Sequence, residues 1–365
     1  MHGAGDVATQ HLKAYLNNPL TRVIAISSKR EESARKLANS YDLEDVEIYT
    51  DYGKMLENDS IDIVSICTPQ QFHAKEVIAA AEAHKHMLIE KPVALNVQEL
   101  HAMSQAVTRS GVKTVVGFVL RWNSVISTLK NFMSQGFLGK IFYVETDYQS
   151  HAWEPVKARW EWVRSKETGI SPFLVAGVHA IDMARWLADT KQGGTADITE
   201  VVSYSGGYRK GQLLPPFEHD VVRYTGRHRI EGTLVPPLEY DGLEVMIMKL
   251  GNGTLAKVST NFDAIMPYDF VWGVYGDKGT CKGNRLWSTE FADQEDWITM
   301  PGTMPNSASV GTHPFQGEID HLISSIQHDK ESHANLQNSV NTHEAALAAM
   351  ISRKEGNVPV KLPLT

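Results

Sequence analysis

Along the first third of the chain, short apolar runs alternate with longer stretches of helical period. Residues 6–17 carry apolar side chains at helical spacing, residues 22–27 form an apolar run of strand length, and residues 31–41 are helical again. The pattern then repeats. Residues 61–67 read as a strand stopped by Thr68 and Pro69, the alanine-rich stretch 73–84 as a helix, and residues 87–89 as a strand. Asn96 is placed to cap a helix reaching about residue 109, and residues 114–120 form one more strand. Such an alternation predicts a parallel sheet covered by helices on both faces. Ligands of these sheets sit at the carboxyl ends of the strands. Thr68 and Pro69, Glu90 with Lys91 and Pro92, and Arg121 all lie at such ends and are predicted to face one crevice.

After Arg121 the grammar changes. Residues 124–135 and 173–188 read as helices, whereas residues 140–148 alternate like a strand with one covered face. Residues 242–262 read as two strands joined at Gly251, Asn252 and Gly253, a strong hairpin turn, and 270–281 as a second pair broken at Gly276 and Asp277. Helices are expected near 315–328 and 339–354. The segment 206–241 is rich in glycine, proline and charge and reads as a long loop or inserted hairpin. The expected fold is therefore α/β: an N-terminal Rossmann dinucleotide-binding domain over residues 1–121, then a C-terminal α+β domain with a mainly antiparallel sheet over 122–365.

Composition narrows the function classes. A formal net charge of −8 argues against nucleic acid as a partner, because phosphate binding needs a basic face. No apolar run approaches the roughly 20 residues of a membrane span, and the charged-then-apolar pattern of a signal peptide is missing. Two cysteines, Cys67 and Cys281, lie in apolar strand-like runs and read as buried thiols, so the expected location is the cytoplasm. No H-x-x-x-H helix and no cysteine pair is present, and no metal is expected.

The candidate chemistry begins at Gly3, Gly5, Asp6, Val7 and Ala8, a turn of G-x-G-x-x-A form. The first glycine permits a tight turn, the second lets the backbone approach a pyrophosphate, and Ala8 keeps helix and strand close. Such a turn normally follows a buried strand, yet only Met1 and His2 precede it here. Either the start lies upstream or something else fills the slot; the first is the expectation. At the end of the next strand, where an acid usually accepts from the ribose of NAD, the chain carries Ser28 and Arg30. Hydroxyl and guanidinium suit a 2′-phosphate, which predicts NADP, with NAD as the other option; the bland alternative is a solvated loop. Lys91, partly desolvated at a strand end, suits proton transfer, with Glu90 to position it, against the plain reading of a surface lysine beside a structural proline. His179, on the predicted helix, could donate to a substrate oxygen, with Asp182 three residues on to orient it; a hydrogen-bonded core histidine is the alternative.

With these residues in place, the chain resembles the glucose–fructose oxidoreductase and inositol dehydrogenase family, the Gfo/Idh/MocA group, over nearly its whole length. The resemblance rests on residues 3–8, on Thr68, Pro69 and His73, on Glu90, Lys91 and Pro92, on residues 177–182 and 274–279, and on His313, Pro314 and Phe315 with Glu318 beyond. It implies a dehydrogenase or reductase of a sugar, inositol or related polyol, assembled as a homodimer or homotetramer. It assigns Lys91 as the catalytic lysine and His179 as its histidine, the two converging beside a nicotinamide. Thr68, Pro69 and His73 match positions lining the cofactor cleft. Trp162 and Arg164 match a region that often touches the cofactor, and Arg121 and Asn123 fall at the passage into the substrate cleft.

Two departures stand out. Many family members carry an aspartate one helical turn before the histidine; here Val175 stands there, and Asp147 is a candidate substitute. The segment 206–241, with Arg209, Lys210, His219, Asp220 and Arg223, looks like an addition to the family core. Two rival functions follow: a dinucleotide-binding sensor of the same fold without turnover, and a cofactor-recycling elimination or glycoside cleavage on the same scaffold.

Overall fold

The computed structural model describes residues 1–150, 161–167, 171–207, 238–264, 266, 268–302, 304–305 and 313–365. The chain forms two units: Met1–Val119 with Pro314–Val340, and Leu120–His313 with Asn341–Thr365.

The first unit holds β1 (Ala25–Ser27), β2 (Glu47–Tyr49), β3 (Ile63–Ile66), β4 (His86–Ile89) and β5 (Thr114–Val116), with α1 (Asp6–Asn17), α2 (Glu31–Asn39), α3 (Tyr52–Leu56), α4 (His73–Glu82) and α5 (Val97–Ser110) between them. All strand pairs are parallel: β1 with β2, and β4 between β3 and β5. The sequence pattern had no place for β2, a three-residue strand whose side chains are exposed or half-buried. Asn96 does cap α5, its side-chain oxygen accepting from Glu99 N at 2.8 Å, and Gly111 ends that helix at φ +70°.

The slot ahead of the glycine turn is filled at one end by Met1 to Gly3. His2 bridges β1 and β3: Ser27 N donates to Met1 O at 2.8 Å, His2 N to Ser65 O at 2.8 Å, and Cys67 N to His2 O at 2.8 Å. A cavity of about 590 Å3 lies beside Met1, lined among others by Val23, Ile24, Ala25, Ile61 and Ile63.

Residues 314–340, which the sequence pattern groups with the second domain, pack in the first unit instead. The reason is the apolar stripe of the helix Phe315–Gln327, whose Phe315, Ile319, Leu322 and Ile323 are buried. Gln316 Nε2 also donates to Ala14 O at 3.1 Å, tying the helix to α1.

The second unit holds α6 (Ser124–Ser134), β6 (Ile141–Gln149), α7 (Glu161–Arg164), a π-turn over Phe173–Gly177 that leads into α8 (Val178–Ala188), and β7 (Ile198–Gly206). Then come β8 (Leu243–Leu250), β9 (Leu255–Asn261), β10 (Asp269–Gly276), β11 (Gly279–Lys282), β12 (Arg285–Ser288), β13 (Ile298–Thr299) and, near the end, β14 (Val360–Lys361). They form one sheet in the order β13-β12-β11-β10-β6-β9-β8-β7-β14. Among the described strands of this sheet only β6 and β9 run parallel; the rest pair antiparallel. The mainly antiparallel sheet and both hairpin turns agree with the sequence pattern. Every residue of α8 is buried, and Thr146 Oγ1 on β6 donates to Ala180 O at 2.9 Å, so α8 covers one sheet face. Of the segment 206–241, residues 208–237, including Arg209, Lys210, His219, Asp220 and Arg223, lie outside the described residues.

Candidate functional site

The glycine turn is built as its spacing requires. Gly3 has φ +101°, and a Cβ there would lie 2.7 Å from Cys67 O, so only glycine fits between β1 and β3. Gly5 differs. It caps α1 without a side-chain hydrogen bond, and a Cβ there would meet nothing within 4 Å. Backbone N–H groups at the start of α1 thus stand beside open space at the positive end of the helix. Asp6 and Val7 form the first turn, and Ala8 is fully buried.

Past β1, Ser27 is buried, Ser28 is half-buried with its N–H on Tyr49 O at 3.0 Å, and Arg30 is exposed where it caps α2. After β3, the Thr68 hydroxyl donates to the Glu76 carboxylate, which also lies 3.0 Å from His2 Nε2. Pro69 leads into a 3-10 turn over Gln70–Phe72. His73 spans two loops: Nδ1 lies 2.9 Å from Pro92 O and Nε2 2.8 Å from Thr68 O. The imidazole therefore ties the loop after β3 to the loop after β4.

Lys91 stands at the end of β4 and is half-buried. Burial lowers its pKa below the usual lysine value, and the Glu90 carboxylate opposes that fall. Glu90 fixes the backbone here, since one of its oxygens accepts from Lys91 N at 3.1 Å. Its other oxygen lies 3.1 Å from His11 Nε2. The sequence pattern missed His11. It sits on the buried face of α1 with Leu12 and Tyr15, where a histidine reads as core, and only the fold shows that it meets Glu90.

In the second unit, His179 is buried near the start of α8, its ring stacked on Tyr148 with centroids 6.2 Å apart and planes 10° apart. Gly177 lets the backbone entering α8 approach β9 closely: a Cβ there would lie 2.1 Å from Thr260 Oγ1. Asp182 does not take the role its spacing suggested. Both of its oxygens are engaged by Arg121, with Nε to Oδ2 at 2.8 Å and Nη2 to Oδ1 at 2.5 Å. Arg121, a sequence candidate for the cofactor, is itself buried and stacks over Trp186 at 4.8 Å. Asn123 caps α6, its side-chain oxygen accepting from Val125 N at 3.0 Å.

Val175 belongs to an apolar cluster with Val163, Ala176, Leu238, Tyr240 and Phe262. Asp147 does not replace the missing acid beside His179. Thr146 faces α8 and Tyr148 stacks on His179, whereas Asp147 pairs with Lys257 Nζ at 2.6 Å and with the Ser259 hydroxyl. Trp162 and Arg164 lie on α7; Arg164 is half-buried, and its Nη1 has no hydrogen-bond partner among the described residues. Among the described residues no group of three or more His, Cys, Asp or Glu could hold a metal ion, and no helix is long and apolar enough to cross a membrane.

The chain is similar to known proteins. Residues 1–118 match the family model described as an oxidoreductase family with an NAD-binding Rossmann fold, and residues 130–362 match its C-terminal alpha/beta domain. The inositol 2-dehydrogenase of Rhizobium meliloti is 26% identical over 353 residues, covering 95% of this chain and 92% of that protein. The myo-inositol 2-dehydrogenase of Thermotoga maritima is 28% identical over 277 residues, 76% of this chain and 72% of that one. In fold, a levoglucosan dehydrogenase solved in complex with NADH and levoglucosan superposes with a TM-score of 0.82 at 20% identity, covering 100% of this chain and 98% of that chain. With a glycine turn that only glycine can make, a lysine at the end of β4 and family models spanning both units, the chain belongs to the Gfo/Idh/MocA oxidoreductase family.

Proposed function

We propose that this protein is a nicotinamide-dependent dehydrogenase or reductase of a sugar or cyclic polyol, with Lys91 as general acid and base and His179 as a hydrogen-bond donor to the substrate. The observation that carries the reading is Lys91 itself, half-buried at the end of β4, with a pKa lowered by burial and a backbone pinned by Glu90. The names of the inositol and levoglucosan dehydrogenases support the substrate class.

A dinucleotide fits the first unit. The open space at Gly5 and the uncapped start of α1 suit a pyrophosphate. When bound, the nicotinamide supplies the hydride acceptor or donor. This chain's residues do the rest. Lys91 takes the hydroxyl proton as the carbinol carbon is oxidised and returns it in the reverse direction. Thr68, Pro69, His73 and Glu90 shape the loops around Lys91, while His179 and residues of α7 serve the substrate and the cofactor. Ser28 and the exposed Arg30 favour NADP, because a guanidinium pairs with a 2′-phosphate. The cytoplasm is the proposed location.

The proposed assembly is a homodimer or homotetramer. The sheet face opposite α8 supports it: Tyr204, Ile247, Leu255 and Val271 are all exposed there, from four strands.

The test is Lys91→Met. Turnover on a responsive sugar or polyol is expected to fall by about 10²-fold or more, the scale of lost acid–base catalysis, with cofactor affinity little changed. An unaffected rate would move the chemistry to another residue. Tight cofactor binding without turnover on any keto-sugar or polyol of a broad panel would favour a sensor instead.

A further inference from the structure

Three ionisable side chains from distant parts of the chain meet inside the first unit. His11 comes from α1, Glu90 from the end of β4, and Glu318 from the helix Phe315–Gln327. His11 Nε2 lies 3.1 Å from Glu90 Oε1 and 3.5 Å from Glu318 Oε1. On its other side, His11 Nδ1 lies 2.7 Å from Ser65 Oγ and 3.2 Å from Cys67 Sγ. His11 and Glu318 are 0% exposed and Glu90 8%. Neither carboxyl oxygen of Glu318 has a hydrogen-bond partner among the described residues.

Two carboxylates cannot both ionise against one imidazolium in so dry a place. Geometry chooses between them. Glu90 is reached by two donors, His11 Nε2 and the N–H of Lys91, and Glu318 by none. The charge therefore belongs on Glu90 and the proton on Glu318. Burial pushes Glu318 well above the usual carboxyl range, and the nearby Glu90 adds to that. For Glu90, burial is outweighed by the hydrogen bond and charge of His11, and its pKa is lowered. For His11, burial is outweighed by Cys67 and Glu90, and its pKa is raised well above the ordinary value. The other titratable groups around the cluster are Tyr15 on the His11 side, the Met1 amino group facing Cys67, and His73 and Lys91 facing Glu90.

We propose that His11 is a positioning residue for Lys91: with Glu318 held neutral beside it, His11 keeps Glu90 as the ionised neighbour whose charge governs how readily the Lys91 amine keeps its proton. Only the consequence for turnover rests on Lys91 being the acid and base. Glu90 touches Lys91 through the Lys91 backbone N–H and through charge, while His11 acts one step behind. Loss of the imidazolium lets Glu90 take up a proton, and Lys91 then loses its counter-charge.

The test reads the amine without turnover. Competitive acetylation of the full chain across pH, followed at Lys91 by mass spectrometry, reports its pKa. His11→Gln is expected to lower that pKa by about one unit or more, the scale for a lost opposite charge close by. Glu90→Gln is expected to do the same, and the double variant no more than either single one. Glu318→Gln is expected to leave it in place. A Lys91 titration unmoved by His11→Gln, or additive shifts in the double variant, would overturn the proposal; so would a Glu318→Gln shift as large as that of Glu90→Gln. Should His11→Gln fail to fold, infrared difference spectra of the unmodified chain decide the point. The C=O stretch of a protonated carboxyl is expected at neutral pH and is expected to vanish in Glu318→Gln; its absence from the unmodified chain refutes the arrangement. Full turnover in Lys91→Met would sink the catalytic reading and leave the labelling result standing.

Discussion

Arg121 grips Asp182 with two nitrogens, at 2.8 and 2.5 Å, and both side chains are fully buried. A pair of this kind contributes little over an apolar replacement, but removing one member strands the other charge out of water. Asp182→Asn or Arg121→Met is therefore expected to cost about 3–5 kcal/mol of stability. The double replacement is expected to cost less than the sum of the singles. Denaturant unfolding of the four chains checks this, and additive losses would mean the two side chains act separately.

The two glycines of the turn should fail differently. Gly3→Ala puts a Cβ 2.7 Å from Cys67 O at a φ of +101°, so the turn must shift. A stability loss of at least about 1 kcal/mol is expected, the scale of local backbone strain, together with weaker cofactor binding. Gly5→Ala meets nothing within 4 Å, so stability should hold while the new methyl intrudes where the pyrophosphate belongs. Thermal melts with and without cofactor separate the cases, since only a bound ligand lifts the folded state. A Gly5→Ala chain with unchanged cofactor stabilisation would place the phosphates elsewhere.

Burial holds Lys91 below the usual lysine pKa of 10.5, and this sets the direction of the pH profile. Oxidation needs the neutral amine, so kcat/KM for oxidation should rise with pH through the lowered pKa and then level. Reduction needs the ammonium and should fall over the same window. For stability, the folded state binds fewer protons at this site than the unfolded chain between the lowered pKa and 10.5, so the contribution grows more favourable as pH rises across that window. A limb that survives in Lys91→Met would belong to another group.

For the cofactor, NADP is expected to outperform NAD in kcat/KM, and Arg30→Ala should remove the advantage by weakening NADP alone. Loss of one charge-assisted contact corresponds to about 10-fold or more. A chain that prefers NAD from the outset would show that Ser28 and Arg30 form only a solvated loop end.

The sheet face opposite α8 offers a test of assembly. Ile247→Lys and Tyr204→Glu put charges on β8 and β7 where the side chains are 41% and 58% exposed, so the folded protomer should tolerate them. Light scattering after size exclusion is expected to show a smaller particle than the unmodified chain. An unchanged mass would free this face from any role in assembly.

Much of the fold was legible because local rules agreed with the tertiary outcome. Asp6–Asn17 was read to both ends from its apolar period, and the β8–β9 hairpin from Gly251, Asn252 and Gly253. The strand Glu47–Tyr49 escaped because three half-exposed residues carry no period. At the site, Gly3 and Lys91 were visible as motifs, since turn and strand end are local. Asp182 was misread because spacing along α8 shows which residues share a face, while its partner Arg121 lies 61 residues earlier. His11 stayed hidden, and Glu318 stood only as part of a family motif without a role, for the same reason: a buried ionic group is recognised by what it touches.

The helix that brings Glu318 to His11 also orders the making of the protein. Residues 1–119 leave the ribosome long before 314–340, yet all of them belong to one unit. A nascent chain halted short of Pro314 already carries the glycine turn and Lys91, but α1 still lacks the cover that Phe315 and Ile319 supply. The nucleotide-binding unit, begun first, is therefore sealed only after residues 120–313 of the other unit have been made, and until then its apolar face is a target for chaperones.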